Sequence, residues 1–292
     1  MSAMPSPSDK LLLSIVVPCF NEERTLAKCM DHVLRIADEH LALEVIIVDD
    51  CSRDASVRVA EKLAAENPCI HVLRHEVNQG KGAALRTGFE RATGDVVAVQ
   101  DADLEYDPQD LKRLLQPFRE GKADVVLGSR FLSRDSHRVL YFWHSVGNKL
   151  LTLLSNIFTD LNLSDMECCY KLFARDVIKN IRVEENRFGV EPELVAKIAH
   201  RRLRIYEMGI SYSGRTYEEG KKIGLKDAFR ALYCIVRYNG DSAPVPLQFL
   251  VYLFIGGVSA IVNLVVFLGL LAATQHIVAS AAVAFVVAAA CN

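Results

Sequence analysis

The sequence lacks the signatures of several large protein classes. Its eight cysteines include no Cys-x-x-Cys pair, which argues against a zinc ribbon and favours reduced, mostly buried thiols. No Gly-x-Gly-x-x-Gly follows the first apolar run and no Gly-x4-Gly-Lys-Ser/Thr occurs, which argues against dinucleotide-dependent oxidoreductases and P-loop nucleotidases. The formal net charge is only −2, so the chain as a whole is not drawn to nucleic acid, and no nucleic-acid partner is expected.

The first apolar run is not expected to be a secretion signal. The apolar run 11–17 after Lys10 is short, ends at Pro18 and has no small-residue cleavage site behind it, so we interpret it as a first strand. We expect residues 1–10 to form a disordered leader and the domain that follows to stay in the cytoplasm. With 292 residues and 51% apolar content, the chain is long enough for a full α/β domain and a smaller second part.

Apolar runs and helical segments alternate through the first half of the chain. Strands are predicted at 12–17, 44–48, 70–73, 95–99 and 124–127, and helices at 24–39, 54–66, 80–92 and 108–119. This alternation predicts a doubly wound α/β fold with a parallel sheet. Ligands of such sheets bind at the carboxyl ends of the strands.

Polar residues follow four of these predicted strands. The four segments are 21–23, 49–52, 78–82 and 101–103. Because the ends of parallel strands meet at one edge, we expect a single site there. Asp101 and Asp103 would supply carboxylate oxygens, which hard cations such as Mg²⁺ and Mn²⁺ prefer, often together with the phosphates of a substrate.

Five short segments together resemble a known family. They are Pro18-x-x-Asn21-Glu22, Val48-Asp49-Asp50-x-Ser52, Asn78-x-Gly80-Lys81-Gly82, Asp101-Ala102-Asp103 and Gly128-Ser129-Arg130. The chain resembles the inverting nucleotide-sugar glycosyltransferases of GT-A fold, and among these the dolichyl- or polyprenyl-phosphate mannose and glucose synthases. The resemblance covers residues 12–239 and implies a GT-A domain at 11–223, a divalent metal (Mg²⁺ or Mn²⁺), a nucleotide-sugar donor and a lipid-phosphate acceptor.

The resemblance also implies roles for individual residues on the donor side. Nucleotide binding would fall to Pro18, Phe20, Glu22, Asp50, Lys81, Asp101, Ala102, Asp103, Arg215 and Lys221. Lys222 remains an alternative to Lys221 in a Gly-flanked loop that would close over the diphosphate. Metal ligands would be Asp101, Asp103 and Glu105. Mannose synthases of this type often have Gln at the position of Glu105. Because this chain departs from that pattern, Glu105 is either a metal ligand or a solvated loop carboxylate.

On the acceptor side, the same resemblance points to a second group of residues. Catalytic roles would fall to Asp103, Arg130 and Arg138, and acceptor or sugar contacts to Arg130, Arg138, Asp165 and Glu191. His144 and Lys149 remain alternatives to Arg138. For Glu191, contact with sugar hydroxyls or the lid and a purely structural role both stay open.

The C-terminal part is predicted to meet a membrane. Residues 224–243 would form an interfacial amphipathic helix and a linker, and residues 244–292 two transmembrane helices within the uncharged runs 247–273 and 277–291. Basic residues before the first span and none between the spans place the large domain in the cytoplasm. Gly256-Gly257 would permit close contact between helices, so a homo-oligomer formed through this segment stays an open alternative. The segment resembles the start of a GtrA-like domain, so we expect further spans beyond residue 292.

The expected activity is the transfer of one hexose from GDP-mannose, or from UDP-glucose as a close second, to a polyprenyl or dolichyl phosphate. A processive polysaccharide synthase is the first alternative. Such enzymes carry Gln-x-x-Arg-Trp, which is absent here, where the single tryptophan, Trp143, follows Leu-Tyr-Phe. A non-catalytic membrane-anchored sensor or scaffold is the second, and the intact Asp101, Asp103 and Arg130 disfavour it.

Overall fold

The computed structural model describes residues 10–132, 141–214, 225–240 and 245–290, with the backbone alone at 225, 246, 247, 250 and 251. The chain divides into two compact units, Met1–Asn239 and Gly240–Asn292. The strands are β1 Leu11–Cys19, β2 Leu41–Asp49, β3 Ile70–Arg74, β4 Val96–Val99, β5 Val125–Ser129, β6 Lys171–Ala174 and β7 Ile205–Gly209. The helices of the first unit are α1 Leu26–Leu34, α2 Ser56–Glu66, α3 Lys81–Arg91, α4 Gln109–Leu114, α5 Gln116–Arg119, α6 Phe142–Thr159, α7 Arg175–Lys179, α8 Val190–Ala199 and α9 Leu225–Asn239.

The seven strands form one sheet in the order β3-β2-β1-β4-β6-β5-β7. All neighbours are parallel except β6, which runs antiparallel to both β4 and β5. Strands β1, β2, β4 and β5 are almost continuously buried, as expected for strands covered on both faces. The predicted α/β fold with a mostly parallel sheet is therefore confirmed.

The register of the central strands fixes where the polar ends lie. Cys19 pairs with Asp49 at the ends of β1 and β2, whereas Val99 at the end of β4 pairs with Val16. β4 is thus shorter than β1, so the chain that leaves β4 toward Asp101 passes beside the last residues of β1. A thiol contact ties the two regions, since Cys29 of α1 lies 3.6 Å from the Asp101 carbonyl oxygen.

The first unit differs from the sequence prediction in one helix and in the elements between β5 and α9. The helix predicted at 108–119 is two short helices, α4 and α5, that meet at Leu115. Pro117 explains the break because proline cannot donate the backbone hydrogen bond that would continue α4. No element was predicted at α6, β6, α7, α8 or β7. Strand β6 is antiparallel to its neighbours, so it makes the sheet mixed rather than wholly parallel.

Helix α6 has inverted polarity. Its buried residues include the polar side chains of Asn148, Thr152 and Ser155. Six of its large apolar side chains are exposed instead, namely Phe142, Trp143, Val146, Leu150, Leu153 and Ile157. Phe158, near the end of the helix, is buried. Trp143 is 79% exposed. A water-soluble helix normally shows the opposite pattern.

Helix α9 packs beside α6 and α8 within the first unit. It buries Ala231, Cys234 and Ile235, while Arg230 forms a paired contact with Glu185 at 2.8–3.0 Å. The apolar side chains of Phe229, Leu232 and Val236 are exposed. α9 therefore has one apolar face in the protein core and a second one on the surface.

The described residues of the second unit form two helices, α10 Val245–Thr274 and α11 Ile277–Ala290. They pack on each other, and the Ser259 hydroxyl donates to the Ala288 carbonyl at 3.0 Å. Among the described residues, one stretch, Tyr252–Thr274, is long and apolar enough to cross a membrane, whereas α11 is a shorter apolar helix. The two predicted spans thus correspond to helices of unequal length, and their insertion stays a prediction.

Candidate active site

The turns after β1 and β2 are locked together by hydrogen bonds. Ser52 accepts from the backbone N–H of Asn21 at 3.0 Å, and Ser56 accepts from that of Glu22 at 2.8 Å. In return, the Asn21 side-chain oxygen accepts from the N–H of Arg53 at 2.8 Å. Asn21 adopts φ +55°, a left-handed conformation that asparagine tolerates better than most residues. These hydrogen bonds therefore hold in place the turn that carries the predicted nucleotide-binding residues Pro18, Phe20 and Glu22.

Asp50 is buried and anchors the turn that opens α3. Its carboxylate accepts hydrogen bonds from the backbone N–H of Gln79 at 2.9 Å and of Gly80 at 2.7 Å. The same carboxylate lies 2.8 Å from Nδ1 of His75. Gly80 has φ +100°, and a Cβ there would collide with the Asn186 carbonyl. Asp50 thus fixes the position of Lys81, and its predicted contact with the nucleotide stays a prediction.

Lys81, the first residue of α3, joins two carboxylates. Its Nζ lies 2.9 Å from Oδ1 of Asp101 and 3.1 Å from Oε1 of Glu191. Burial alone would lower the pKa of Lys81, but the neighbouring charges, Asp101 foremost, outweigh it and raise this pKa well above its ordinary value. The Lys81 cation is therefore a permanent part of the site.

The other oxygen of Glu191 binds a second lysine. Lys171, fully buried at the start of β6, places its Nζ 2.9 Å from Oε2 of Glu191. The same Nζ donates to the backbone carbonyls of Met166 and Cys168. The resulting chain of charges, Asp101–Lys81–Glu191–Lys171, connects the Asp-x-Asp segment to the segment 165–168. We call it the lysine–carboxylate network.

The remaining carboxylates of the Asp-x-Asp segment are also engaged. Asp103 Oδ1 accepts the N–H of Glu105 at 3.1 Å, and the Tyr212 hydroxyl donates to Glu105 Oε2 at 2.8 Å. Among the described residues, no three His, Cys, Asp or Glu side chains are grouped so that they could hold a metal. Asp101 and Asp103 alone still fit a hard cation, which commonly takes one or two carboxylates plus substrate phosphates.

Arg130 at the end of β5 is held by Asp165. Its Nε and one terminal nitrogen each lie 2.7 Å from a different oxygen of Asp165, which is a bidentate pair. The ring of Tyr212 lies 5.3 Å from the guanidinium carbon, within the range of a cation–π contact. Because a guanidinium has five N–H donors, this pair orients Arg130 without using all of its donors.

The structure brings together most of the predicted residues it describes. Lys81, Asp101 and Glu191 are in direct contact, Arg130 and Asp165 form a pair, and the buried Ala102 lies between Asp101 and Asp103. Arg138, Arg215 and Lys221, with the alternative Lys222, lie outside the described residues. His144 and Lys149 lie on α6, where the Lys149 ammonium is 5.7 Å from the Phe131 ring.

Two residues of the site were not assigned roles from sequence. Lys171 was given no individual role, because the four-residue strand β6 that it begins was not itself predicted. Tyr212 had no local signal, since its contacts to Glu105 and Arg130 come from parts of the chain that are distant in sequence.

A family model matches this domain. The model for Glycosyl transferase family 2 covers residues 14–182, more than half of the chain, and includes the ends of β1 to β6 where the site lies. The chain belongs to glycosyltransferase family 2. The family assignment agrees with the resemblance derived from the five motifs.

Curated relatives refine the comparison. A hexosyltransferase of low-salt glycan biosynthesis, Agl6 of Haloferax volcanii, is 31% identical over 70% of this chain and 49% of its own length. Dolichyl-phosphate beta-glucosyltransferase ALG5A of Trichomonas vaginalis is 30% identical over 69% of this chain and 65% of its own. Undecaprenyl-phosphate mannosyltransferase of Micrococcus luteus is 30% identical over 72% and 86%. The chain therefore spans about half to two-thirds of the first two relatives.

Solved structures show the fold. Glucosyl-3-phosphoglycerate synthase of Mycobacterium tuberculosis, crystallised with Mn²⁺ and UDP-glucose, superposes with a TM-score of 0.62 at 19% identity, over 79% of each chain. At this identity the likeness carries the fold alone. The family 2 domain of this chain thus has the GT-A fold that the motifs implied.

Proposed function

We propose that this chain transfers a single hexose from a nucleotide-sugar to a polyprenyl or dolichyl phosphate, with inversion at the anomeric carbon. The observation that carries the proposal is the pairing, at one rim of the sheet, of the lysine–carboxylate network with the Arg130–Asp165 pair. The first supplies charge beside a donor diphosphate and the second beside an acceptor phosphate. The names of the glucosyl and mannosyl relatives agree with this reaction class.

The chemistry depends on charge and position more than on proton transfer. A phosphate monoester has a second pKa near ~6, so the acceptor is already largely dianionic at neutral pH and needs no strong base. In this proposal, Lys81 stabilises negative charge that develops on the diphosphate, and Arg130 holds the attacking phosphate in line. Mg²⁺ or Mn²⁺ held by Asp101 and Asp103 would neutralise further charge on the leaving group.

GDP-mannose and UDP-glucose both remain in the proposal. One relative is named as a glucosyltransferase and another as a mannosyltransferase, and their identity to this chain is the same, 30%. A few contacts worth about 1–3 kcal/mol each decide such preferences. A screen of both donors against the purified protein is the direct way to choose.

The exposed apolar surfaces support a membrane location for this reaction. α6 and α9 turn Trp143, Leu150, Phe229 and Val236 outward, and α10 begins within a few residues of the end of α9. Such outward apolar faces fit the interfacial layer of a bilayer. We propose an integral membrane protein whose family 2 domain lies on the cytoplasmic face, where a lipid-linked acceptor is within reach.

A radiolabel assay tests the proposal. Detergent-solubilised protein is incubated with Mn²⁺, polyprenyl phosphate and GDP-mannose or UDP-glucose labelled in the sugar. We expect organic-extractable label with at least one donor and none without the lipid phosphate. Extractable label from neither donor, in protein shown to be folded by its cooperative unfolding, would contradict the proposal.

A further inference from the structure

His75 is a buried histidine directly after β3, and the mechanism above gives it no role. It is 8% exposed, and each of its ring nitrogens has a partner. Nδ1 lies 2.8 Å from Oδ1 of Asp50, and Nε2 lies 3.0 Å from the hydroxyl oxygen of Thr87. An ionised carboxylate can only accept, so the Asp50 contact assigns the proton to Nδ1 and leaves Nε2 of the neutral ring to accept from Thr87. Because both nitrogens are engaged, the imidazole supports its neighbours and offers no group to a ligand.

The contact with Asp50 fixes the plane of that carboxylate. Oδ1, which meets His75, also accepts the N–H of Gln79, and Oδ2 accepts the N–H of Gly80. These are the two backbone groups immediately before Lys81. An aspartate turns easily about its terminal torsion, so a third donor that sets the plane of the carboxylate also sets both N–H groups. His75 thereby holds the turn that leads into Lys81.

The contact with Thr87 ties the same histidine to α3. Lys81 is the first residue of this helix, and Thr87 lies near its middle. His75 therefore contacts α3 directly at Thr87 and, through Asp50, the turn where the helix begins. A helix held at two places resists rotation about its axis, and Lys81 would move with such a rotation. The Lys81 ammonium then keeps its contacts of 2.9 and 3.1 Å to two carboxylates.

We propose that His75 is a positioning residue for the transfer reaction, which through Asp50 and Thr87 keeps Lys81 in contact with the carboxylates of the lysine–carboxylate network. The inference rests on the proposed function, in which Lys81 stabilises charge on the diphosphate. A displaced Lys81 loses most in the transition state, where that charge develops, while the donor keeps its other contacts in the ground state. Removing the support of His75 should therefore lower kcat much more than it raises the KM of the nucleotide-sugar.

Substitutions of His75 test this inference by steady-state kinetics of lipid labelling with the detergent-solubilised chain. His75→Leu removes both contacts, and we expect kcat to fall about tenfold or more while the KM of the nucleotide-sugar changes by less than about threefold. His75→Asn keeps a side-chain N–H directed at Asp50, so it should recover much of the lost kcat.

Arg204→Met is the matched control for the loss of a donor to an aspartate. The Arg204 side chain donates to Asp124 at 2.7 and 3.1 Å, and Asp124 also accepts a backbone N–H. Asp124 lies just before β5, at the opposite end of that strand from Arg130. The kcat of Arg204→Met should therefore stay within about twofold of the wild type.

A double-mutant cycle separates support of Lys81 from other effects of the substitution. In the Lys81→Met background, His75→Leu should lower kcat by less than about threefold, because the group that it positions is already gone. An equal loss of kcat in both backgrounds, an unchanged kcat in His75→Leu, or the same loss in Arg204→Met would overturn the inference.

Hydrogen exchange keeps this inference separate from the proposed function. The N–H groups of Gln79 and Gly80 should exchange at least about threefold faster in His75→Leu than in the wild type or in Arg204→Met. A wild type that transfers no sugar to lipid, together with this faster exchange, would contradict the proposed function and leave the positioning of Lys81 standing. Unchanged exchange in His75→Leu would overturn the inference whatever the activity.

Discussion

Lys81→Met removes the cation that Asp101 and Glu191 share. Methionine keeps most of the length of the lysine side chain, so the change isolates the charge from the packing. At about 3 Å and an effective dielectric constant of about 20, each contact corresponds to roughly 5 kcal/mol of Coulomb attraction, much of it offset by desolvation. The side chains of Lys81 and Asp101 are 16% and 21% exposed. We therefore expect the free energy of unfolding to fall by about 3 kcal/mol, which is the lower end of the range for breaking a buried ion pair.

Lys197 offers a matched control on the same scaffold. Its Nζ lies 2.7 Å from Glu193 and 2.8 Å from Glu184, and its side chain is 20% exposed, so it too is shared by two carboxylates. It has no contact with the proposed site residues in the described structure. Lys197→Met should therefore lose a comparable or smaller amount of stability while its transfer rate stays within about twofold of the wild type.

The two variants are compared by urea unfolding and by the radiolabel assay. We expect Lys81→Met to fall about 100-fold or more in transfer rate, as is typical when a charge-stabilising group is removed from an active site. Because both variants lose a lysine from a two-carboxylate contact, a general effect of weakened folding would appear in both. A Lys81→Met transfer rate equal to that of Lys197→Met would refute the role given to the lysine–carboxylate network.

Four further predictions concern single residues. Asp103→Asn should abolish lipid-extractable label without shifting the urea midpoint by more than a small amount, and full retained activity would remove Asp103 from the metal site. Gly80→Ala should lower the free energy of unfolding in urea by about 1–3 kcal/mol, because φ is +100° and a Cβ has no room there. An unchanged urea midpoint would show instead that the turn relaxes to accept the Cβ. Burial, reinforced by Glu191, raises the pKa of Glu167 from 4.5 to about 7, so the folded protein holds this proton to a higher pH than the unfolded chain does. The free energy of unfolding should therefore fall by about 3 kcal/mol as the pH rises between these two values. Glu167→Gln should flatten this fall, and identical pH profiles for the variant and the wild type would contradict the prediction. Trp143 is the single tryptophan, so in vesicles a lipid-attached quencher should reduce the protein's tryptophan fluorescence; unquenched emission would place α6 away from the bilayer.

The parts of the fold that could be predicted are those that depend on local patterns. Continuous apolar runs marked β1, β2 and β4, and polar residues directly after them marked the rim where Asp101 and the β1 and β2 turns meet. The four-residue strand β6 escaped detection because it begins with Lys171, whose charge is compensated by Glu191 from a distant helix. Its antiparallel position between β4 and β5 is determined by tertiary packing, which no local sequence pattern encodes.

The candidate site was predictable as a set of residue types and not as a set of contacts. Motif matches placed Asp101 and Arg130 at strand ends, where the structure has them. They did not indicate that Lys81 would bind Asp101 directly, nor that Asp50 would hold the backbone of the turn at Gly80. The inverted polarity of α6 was likewise missed, because apolar residues at helical spacing normally face the core.

Mass spectrometry of the lipid product tests the central claim most directly. Wild-type protein with Mn²⁺, polyprenyl phosphate and each of the two donors should convert the lipid into a species that carries one hexose on its phosphate. The anomeric coupling of that hexose should show a configuration opposite to that of the donor. A lipid carrying several sugars, a hexose with retained configuration, or nucleotide-sugar hydrolysis with the lipid unchanged would contradict the account.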